Sequence, residues 1–282
     1  MPDGWVKEFA PAKINLTLHV TGQRADGYHL LDSLVVFADV GDFVRLRPAK
    51  EMKLTVTGPM AGKVPAHAQN LVWKAATWFG APPVEIVLEK NLPSASGIGG
   101  GSADAAATLR ALSRLLDMPL PDAETTAKLG ADVPVCIIGR PCRMRGIGDE
   151  VDLLDGLPGL HVLLVNPAVP LATPTVFNAL SSKENPMMVL APNEWVSARD
   201  LLIWADGQRN DLEAPAVQMQ PIVRDVIQEL RTCGAPLVRM SGSGATCFAA
   251  SHKQSDIARA EVLIRQNFPN FWVARGQTFG SN

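Results

Sequence analysis

The chain has 282 residues, with 26 Lys and Arg against 28 Asp and Glu, and its formal net charge is −2. This charge argues against a protein dedicated to nucleic-acid binding, because a phosphate backbone requires a basic surface. Hydrophobic residues make up 47% of the chain and charged residues 19%, a balance that excludes wholesale disorder. At ~150 residues per domain, the length predicts about two domains.

No apolar run reaches the ~18 residues that a membrane span needs. The opening Met-Pro-Asp-Gly-Trp lacks the basic and apolar stretches of a signal peptide. The cysteines are Cys136, Cys142, Cys233 and Cys247, and no two of them form a CxxC pair. We therefore predict buried thiols in a reducing cytoplasm, with neither a zinc site nor a disulfide framework.

Alternation of apolar and polar residues predicts strands in the first part of the chain. Within residues 13–20 every second residue is apolar, from Ile14 to Val20, and the residues between them are polar, from Lys13 to His19. The further predictions for this half are strands at 30–37, 43–47, 54–57 and 84–88, and helices at 69–81 and 102–118.

The pattern changes at the turn-rich Asp155-Gly-Leu-Pro-Gly159, which we take as the boundary between a domain of residues 1–157 and a second of residues 158–282. A strand-first half followed by a helix-rich half indicates an α+β fold. Beyond the boundary we predict helices at 174–181, 193–206, 209–218, 220–232 and 255–266, and strands at 160–166, 237–240, 245–250 and 271–275.

The most informative segment is Leu92-Pro-Ser-Ala-Ser-Gly-Ile-Gly-Gly-Gly-Ser-Ala-Asp-Ala-Ala106, which follows a predicted strand and begins a predicted helix. Its four glycines allow the backbone to curl and a ligand to approach closely. A helix that starts at about Ser102 directs N–H groups and a positive dipole end toward the loop. The segment therefore predicts a phosphate-binding loop. It lacks the Lys of a Walker A loop, the glycine spacing of a Rossmann loop, and the protein-kinase signatures.

Lys13 and Asn15 lie two positions apart on the polar side of the first strand, about 6.6–7 Å from each other, so both can point into one site. The ordinary alternative is a solvated strand face. Asp132, in Gly-Ala-Asp-Val-Pro, fits a helix N-cap as well as a functional carboxylate. Phe177 is a further candidate binding residue, and the ordinary alternative is that its ring only packs a helix against the core.

Three segments together resemble the GHMP kinase superfamily, which includes galactokinase, homoserine kinase and mevalonate kinase. They are Pro11-Ala-Lys-Ile-Asn-Leu16, the loop Pro93–Ala106, and Met240-Ser-Gly-Ser-Gly-Ala-Thr-Cys-Phe248, in the superfamily's order. The resemblance implies a two-domain GHMP kinase fold: an N-terminal α/β domain like a ribosomal protein, a C-terminal ferredoxin-like α/β domain, and an active-site cleft between them. It also implies ATP with Mg²⁺ as the phosphoryl donor.

Further segments narrow the resemblance to one branch, whose members phosphorylate the 2-hydroxyl of CDP-linked methylerythritol on the non-mevalonate route to isoprenoid precursors. They are Thr21-Gly-Gln-Arg-Ala-Asp-Gly-Tyr-His29, Leu129-Gly-Ala-Asp-Val-Pro-Val135 and Arg209-Asn-Asp-Leu-Glu213. The loop departs from the usual pattern at Ile98, where Leu is common, and at Ala103, where many members have a second Ser. The second departure leaves Ser102 as the candidate metal-ligating hydroxyl. We predict no cluster of side chains that binds a metal ion by itself.

The resemblance also implies roles for individual residues. Lys13 and Asp132 are the candidate catalytic residues: Lys13 would polarise the attacking hydroxyl or steady developing charge, and Asp132 is the base near the acceptor hydroxyl. The sequence leaves open which of the two accepts the proton. The candidate ATP-binding residues are Asn70, Lys90, Pro93, Ser94, Ala95, Ser96, Gly97, Ile98, Gly99, Gly100, Gly101, Ser102 and Ala103. The candidate acceptor-binding residues are Asn15, Tyr28, His29, Thr173, Phe177, Gly242 and Ser243, with Tyr28 and Phe177 expected to clamp the cytosine.

Three alternatives stay open. Another GHMP-type kinase, acting on homoserine or mevalonate, shares the loop but has no need of the Gly-Tyr-His segment. A non-catalytic metabolite-binding member of the fold is disfavoured by the presence of both Lys13 and Asp132, and an RNA-binding protein is disfavoured by the net charge. We expect small-molecule substrates and no nucleic-acid or membrane partner; the sequence leaves the oligomeric state open.

Overall fold

The structure is a computed structural model and describes residues 4–192 and 194–280. Among these residues, none of the helices is both long enough and apolar enough to cross a membrane. The strands are β1 (Val6–Asn15), β2 (His19–Gln23), β3 (His29–Pro48), β4 (Lys53–Thr57), β5 (Val84–Glu89), β6 (Cys142–Gly146), β7 (Glu150–Leu153), β8 (His161–Asn166), β9 (Leu237–Met240), β10 (Cys247–Ser251) and β11 (Trp272–Gln277). The α-helices are α1 (Leu71–Trp78), α2 (Gly100–Leu116), α3 (Ala123–Ala127), α4 (Val133–Ile138), α5 (Thr173–Asn178), α6 (Ala198–Asp206), α7 (Glu213–Met219), α8 (Ile222–Thr232) and α9 (Gln254–Asn267).

The chain forms two compact units that each take in separate stretches of sequence. The first unit comprises the described part of Met1–Ala12 together with Gly41–Ser94 and Gly99–Gly139. The second comprises Lys13–Val40, Ala95–Ile98 and the described part of Arg140–Asn282. Because the units interleave in this way, the predicted boundary between residues 157 and 158 stays a prediction.

In the first unit, β5 is the middle strand of a sheet. It pairs with β4 in parallel, Lys53 opposite Glu85, and with the second half of β3 in antiparallel, Phe43 opposite Glu89. Helix α2 packs against both α1 and α4, and the three helices contribute to a small apolar core of Ala75, Ala105, Leu109 and Val133. The small residues of α2 allow this close approach between helices.

The second unit contains two antiparallel arrangements. In one, the first half of β3 pairs with β2 and with β6, and β6 pairs with β7. The other is a four-stranded sheet in the order β11-β8-β10-β9, with α8 and α9 packed against it. Strand–helix–strand–strand–helix–strand along the chain is the ferredoxin-like arrangement, which confirms the fold expected for this part of the chain.

The structure confirms most of the predicted elements and corrects several. The predicted strand 13–20 is interrupted after Asn15, because the Leu18 N–H donates to Arg209 O instead of continuing the ladder. The two predicted strands 30–37 and 43–47 are one strand, β3. Sequence patterns missed α3, β6 and β7, and for α4 they predicted only a helix start at Asp132.

Helix ends also differ from prediction. The predicted helix 209–218 begins at Glu213, because the Asn210 side chain accepts the Leu212 N–H in a turn that precedes it. The predicted helix 193–206 begins at Ala198, where the Ser197 side chain caps it by accepting the Asp200 N–H. The first residue of that prediction, Asn193, lies outside the described residues.

Candidate active site

The polar side of the first strand segment is buried, contrary to the solvated-face alternative. Lys13 is 4% exposed, Asn15 1%, Thr17 0% and His19 1%. Lysine and asparagine are seldom buried this deeply unless their polar atoms have partners or a function. The burial therefore marks Lys13 and Asn15 as structural or functional groups and excludes a plain surface.

The glycine loop contacts the C-terminal glycine turn within the second unit. The Lys13 N–H donates to Ile98 O at 3.0 Å and the Thr246 N–H donates to Ser96 O at 3.1 Å. The Ser241 hydroxyl donates to Gly97 O at 3.0 Å and accepts the Asn15 N–H at 3.1 Å. Through Ser241, the first strand and the glycine loop are connected.

Gly97 has a left-handed backbone and packs directly against the C-terminal glycine turn, a contact that the sequence analysis did not predict. Its φ of 76° is left-handed, and a Cβ at this position would lie 2.3 Å from Ser241 O and 2.7 Å from Gly244 N. From the other side, a Cβ on Gly242 would lie 2.6 Å from Gly97 O. Gly97 and Gly242 therefore allow two backbone segments to pack directly, whereas a Cβ on Gly101 would meet no atom within 4 Å.

Helix α2 begins two residues before the predicted start, at Gly100. Its N-cap, Gly99, has a left-handed backbone and, among the described residues, no side chain caps the helix there. The first N–H groups of a helix have no partner within the helix and favour an anion. Ile98 and Ala103 are fully buried, the Ile98 carbonyl accepts the Lys13 N–H and the Ala103 N–H donates to Gly99 O; contact of these two residues with ATP stays a prediction.

A buried charged cluster lies where β5 leads into the loop. Lys90 donates to Asp104 Oδ2 at 2.7 Å and to Asp42 Oδ2, and all three side chains are almost fully buried. Asp42 Oδ1 accepts the N–H groups of Asn91 and Leu92, at 2.5 and 2.8 Å. We call Asp42, Lys90 and Asp104 the charged cluster; it fixes the backbone that leads into the glycine loop.

The charged cluster has unusual acid–base properties. Burial, reinforced by the Asp42 carboxylate, raises the pKa of Asp104 to about 8 against the opposing effect of Lys90. Burial acts to lower the pKa of Lys90, but the carboxylates of Asp104 and Asp42 outweigh it and the pKa is raised. Lys90 therefore stays charged, and one extra proton on the two carboxylates makes the cluster neutral.

The two candidate adenine residues have partners within the protein. Asn70 is the N-cap of α1: its Oδ1 accepts the Val72 N–H at 2.9 Å and its Nδ2 donates to Pro65 O at 2.7 Å. Lys90 serves the charged cluster. A polar residue directly before an amphipathic helix is the signal that could have identified Asn70 as a cap; contact of either residue with ATP stays a prediction.

Asp132 lies at the N-terminal boundary of α4, as its sequence motif predicts, and is half-buried. In the described part of the chain its side chain makes no hydrogen bond that caps this helix. The helix instead begins with Val133-Pro134, and proline is well tolerated in the first turn. The catalytic role of Asp132 stays a prediction.

Aromatic residues of the predicted cytosine site come together in the second unit. The rings of His29 and Phe177 stack with centroids 4.7 Å apart at 27°, and Tyr28 is 57% exposed. Burial, with the nearby Lys183 ammonium, lowers the pKa of His29, so the imidazole is neutral near pH 7. His29 Nε2 is buried and has no hydrogen-bond partner among the described residues.

Two further predicted residues also meet. Thr173 Oγ1 and Ser243 Oγ are 2.8 Å apart and hydrogen-bonded.

The structure also shows buried residues around Asn15 that the sequence analysis missed, namely Thr17, Ser33 and Ser241. The signal for Ser33 in the sequence was a hydroxyl directly before the apolar Leu34-Val-Val-Phe37, whereas Thr17 lies on the polar side of the first strand and Ser241 lies in the motif Met240–Phe248.

The cysteines are all buried and free, which confirms the predicted thiols. Burial raises the pKa of Cys142 to about 12 and also raises that of Cys247. No group of three or more His, Cys, Asp or Glu side chains within the described residues could hold a metal ion. Ser102 is half-buried, and its role as a metal-ligating hydroxyl stays a prediction.

Comparison with known proteins identifies relatives of this chain in sequence and in fold. The GHMP kinases N-terminal domain model matches residues 70–150 and the GHMP kinases C-terminal model matches residues 196–270. These matches lie on either side of the predicted boundary. A crystal structure of 4-(cytidine 5'-diphospho)-2C-methyl-D-erythritol kinase covers 98% of this chain and 100% of its own, with a TM-score of 0.77 and 31% identity. Homoserine kinase from Cytophaga hutchinsonii shares the fold, with a TM-score of 0.66 at 18% identity over 99% and 96% of the two chains.

The fold shared with these kinases and the two family-model matches define a small-molecule kinase of the GHMP class, as the sequence predicts. A 4-diphosphocytidyl-2-C-methyl-D-erythritol kinase of Cereibacter sphaeroides is 50% identical over 96% of this chain and 99% of its own. The enzyme of that name from Ruegeria pomeroyi is also 50% identical, with the same coverage. The chain therefore belongs to the 4-diphosphocytidyl-2-C-methyl-D-erythritol kinase family within the GHMP kinases.

Proposed function

We propose that this enzyme transfers the γ-phosphoryl group of ATP to the 2-hydroxyl of 4-diphosphocytidyl-2-C-methyl-D-erythritol. The observation that carries the choice of acceptor is the stacked pair of His29 and Phe177, in a chain 50% identical to relatives that bear this substrate's name. A kinase for homoserine or mevalonate has no nucleobase to bind, so it gains nothing from such a pair.

In the proposed reaction, the 2-hydroxyl oxygen forms a bond to the γ-phosphorus as the bond from that phosphorus to the β–γ bridging oxygen breaks. ADP leaves, and the hydroxyl proton passes to the Asp132 carboxylate. The Lys13 ammonium stabilises the negative charge on the transferring group. Positioning and charge stabilisation supply most of the catalysis in phosphoryl transfer.

Acceptor binding is supported by atoms that the protein leaves unsatisfied. Asn15 Oδ1 and His29 Nε2 are buried without a hydrogen-bond partner among the described residues. Such atoms are rare in folded proteins. We assign Asn15 to the methylerythritol and His29, with Tyr28 and Phe177, to the cytosine. Thr173, Gly242 and Ser243 complete the proposed acceptor site.

ATP binding is assigned to the segment from Pro93 to Ala103, with its phosphates at the start of α2 and its adenine near Asn70 and Lys90. Mg²⁺ bound at Ser102 would neutralise charge on the phosphates. We place the reaction in the cytoplasm, as a step toward isoprenoid precursors on the non-mevalonate route.

The test is ADP formation by the purified enzyme with ATP, Mg²⁺ and one of three acceptors: 4-diphosphocytidyl-2-C-methyl-D-erythritol, homoserine or mevalonate. We expect turnover with the first only, lost on chelation of divalent ions and restored by Mg²⁺. Turnover of homoserine or mevalonate at a higher kcat/KM would instead establish one of the alternative kinases. No turnover of any acceptor, with intact binding, would favour the non-catalytic alternative.

The role of Asp132 is tested by Asp132→Asn, which keeps the shape and removes the basicity. General-base assistance is worth ~10²–10⁴-fold, so we expect kcat to fall by at least ~10²-fold. The melting temperature should stay near that of the wild type, because Asn has nearly the same shape and the Asp132 side chain makes no hydrogen bond that caps α4 in the described part of the chain. A variant that melts early yet turns over normally per folded molecule would show that Asp132 is structural.

A further inference from the structure

A chain of uncharged polar groups surrounds Asn15 in the second unit. The Asn15 Nδ2 group donates to Ser33 Oγ at 2.8 Å, and the Ser33 hydroxyl donates to Thr17 O at 2.5 Å. Thr17 Oγ1 accepts the Leu34 N–H at 2.8 Å and donates to Met188 Sδ at 3.0 Å. We call Asn15, Thr17 and Ser33 the neutral network; all three are at most 1% exposed.

The number of protons in this network decides which way the Asn15 amide points. A serine hydroxyl has a single proton and two lone pairs. Since the Ser33 proton goes to Thr17 O, the side of Ser33 that faces Asn15 can only accept. Asn15 must therefore present its NH₂ group to Ser33, and its carbonyl oxygen must lie on the opposite side of the amide.

The carbonyl oxygen placed in this way is the atom that lacks a partner. Asn15 Oδ1 is buried and accepts no hydrogen bond from the described residues. It can be satisfied only by a group that donates, such as a ligand hydroxyl, and never by a group that only accepts. In the absence of Ser33, an amide can rotate by half a turn and offer NH₂ instead, since the two orientations have nearly the same shape.

We infer that Ser33 is a positioning residue for acceptor recognition: it fixes the Asn15 amide so that Oδ1 accepts a hydrogen bond from a hydroxyl of the acceptor alcohol. This inference rests on the proposed function and adds the residue that determines the polarity of the Asn15 contact. Ser33 itself need not touch the substrate. Its effect is transmitted entirely through Asn15, which makes the inference testable by a double-mutant cycle.

The experiment measures KM for 4-diphosphocytidyl-2-C-methyl-D-erythritol, KM for ATP and kcat in five enzymes. They are the wild type, Ser33→Ala, Ser33→Thr, Asn15→Ala and the double variant Asn15→Ala/Ser33→Ala. We expect Ser33→Ala to raise the acceptor KM at least fivefold and to change the ATP KM less than twofold. Ser33→Thr, which keeps the hydroxyl, should return the acceptor KM to within twofold of the wild type. In the Asn15→Ala background, removal of the Ser33 hydroxyl should change the acceptor KM less than twofold.

Ser251→Ala is the matched control. Ser251 is a fully buried serine of the same unit, and its hydroxyl donates to Asp256 and accepts the Lys253 N–H. It should leave the acceptor KM unchanged. If Ser33→Ala does not fold, Ser33→Cys replaces it, since a thiol of similar size is a weak acceptor and should raise the acceptor KM in the same direction.

An acceptor KM for Ser33→Ala, or for Ser33→Cys where it replaces Ser33→Ala, equal to that of the wild type overturns the inference. So does a full Ser33→Ala effect in the Asn15→Ala background, because Ser33 would then act through general structure. Failure of the proposed function is a separate result: the wild type itself would then not phosphorylate the acceptor.

Discussion

The charged cluster of the first unit and the neutral network of the second are both buried, and in each of them one oxygen has no hydrogen-bond partner among the described residues. In the charged cluster it is Asp104 Oδ1, and in the neutral network it is Asn15 Oδ1. Asp104 can take up a proton, since burial raises its pKa to about 8. An amide oxygen cannot be protonated near neutral pH, so Asn15 needs a donor from outside the network.

This difference separates a structural group from a binding group. The charged cluster can reach neutrality with one proton and needs no ligand to do so. The neutral network is complete except at the one atom that we assign to the substrate. Buried polar groups of similar depth thus have different uses, and the chemistry of the unsatisfied atom distinguishes them.

The largest expected effect comes from removing the cation of the charged cluster. Lys90→Met leaves two buried carboxylates without their partner, which typically costs about 3–5 kcal/mol of stability. Denaturant unfolding measures it as a lower free energy of unfolding. Lys53→Met, which removes an exposed ammonium from the same unit, should stay close to the wild type. Equal stability of the two variants would show that the charged cluster contributes nothing to the fold.

A smaller effect is expected at the stacked rings. A base stacked on an aromatic side chain contributes about 1–3 kcal/mol in nucleic-acid sites, so Phe177→Ala should raise the KM for the acceptor by ~5–150-fold. The KM for ATP, measured in the same assays, serves as the control and should change little. An equal rise in both KM values would place Phe177 in the core and remove it from the site.

Within the neutral network, Thr17→Val tests stability apart from binding. It leaves the buried Leu34 N–H without its acceptor, a loss of about 1–3 kcal/mol in the free energy of unfolding. Thr232→Val, at an exposed hydroxyl that donates to Glu229 O, is the control and should be nearly neutral. A loss for Thr17→Val as large as that for Lys90→Met would contradict the distinction between the two regions.

The smallest effect is a change in pH dependence. The folded-state pKa of Asp104 lies above its ordinary value of 3.8, so folding takes up a proton between these values and the free energy of unfolding falls as pH rises toward 8. Asp104→Asn has no such proton. The stability of this variant relative to the wild type should therefore increase from pH 6 to 8, by on the order of 1 kcal/mol, and level off above. A difference that is constant with pH would mean that Asp104 does not titrate in this range.

The sequence predicted those elements whose pattern is regular and whose ends have clear signals. Strand β5 alternates cleanly, and α8 has one apolar face. The sequence pattern predicted β3 as two separate strands, because Asp39, Gly41 and Asp42 interrupt its apolar residues. In the structure Asp42 is buried with Lys90. The short strands β6 and β7 carry Arg, Asp and Glu, which hide the alternation.

For the candidate site, the sequence analysis named Lys13 and Asn15 but did not predict that both residues are buried. Alternation places polar residues on one face, and a polar face is ordinarily solvated. The roles of Ser33 and Lys90 depend on contacts between residues 18 and 48 positions apart, which no local pattern encodes. The direction of the Asn15 amide in particular follows only from counting the protons of its neighbours.

The most direct test of the account is the position of the phosphate in the product. The proposed acceptor carries its 2-hydroxyl on a carbon that bears a methyl group and no hydrogen, whereas its other free hydroxyls are on carbons that bear hydrogen. In a proton-coupled ³¹P spectrum, the new phosphate monoester should therefore show no splitting by a proton on the carbon that carries it. A doublet or triplet from such a proton, or no new monoester signal, would contradict phosphorylation of the 2-hydroxyl.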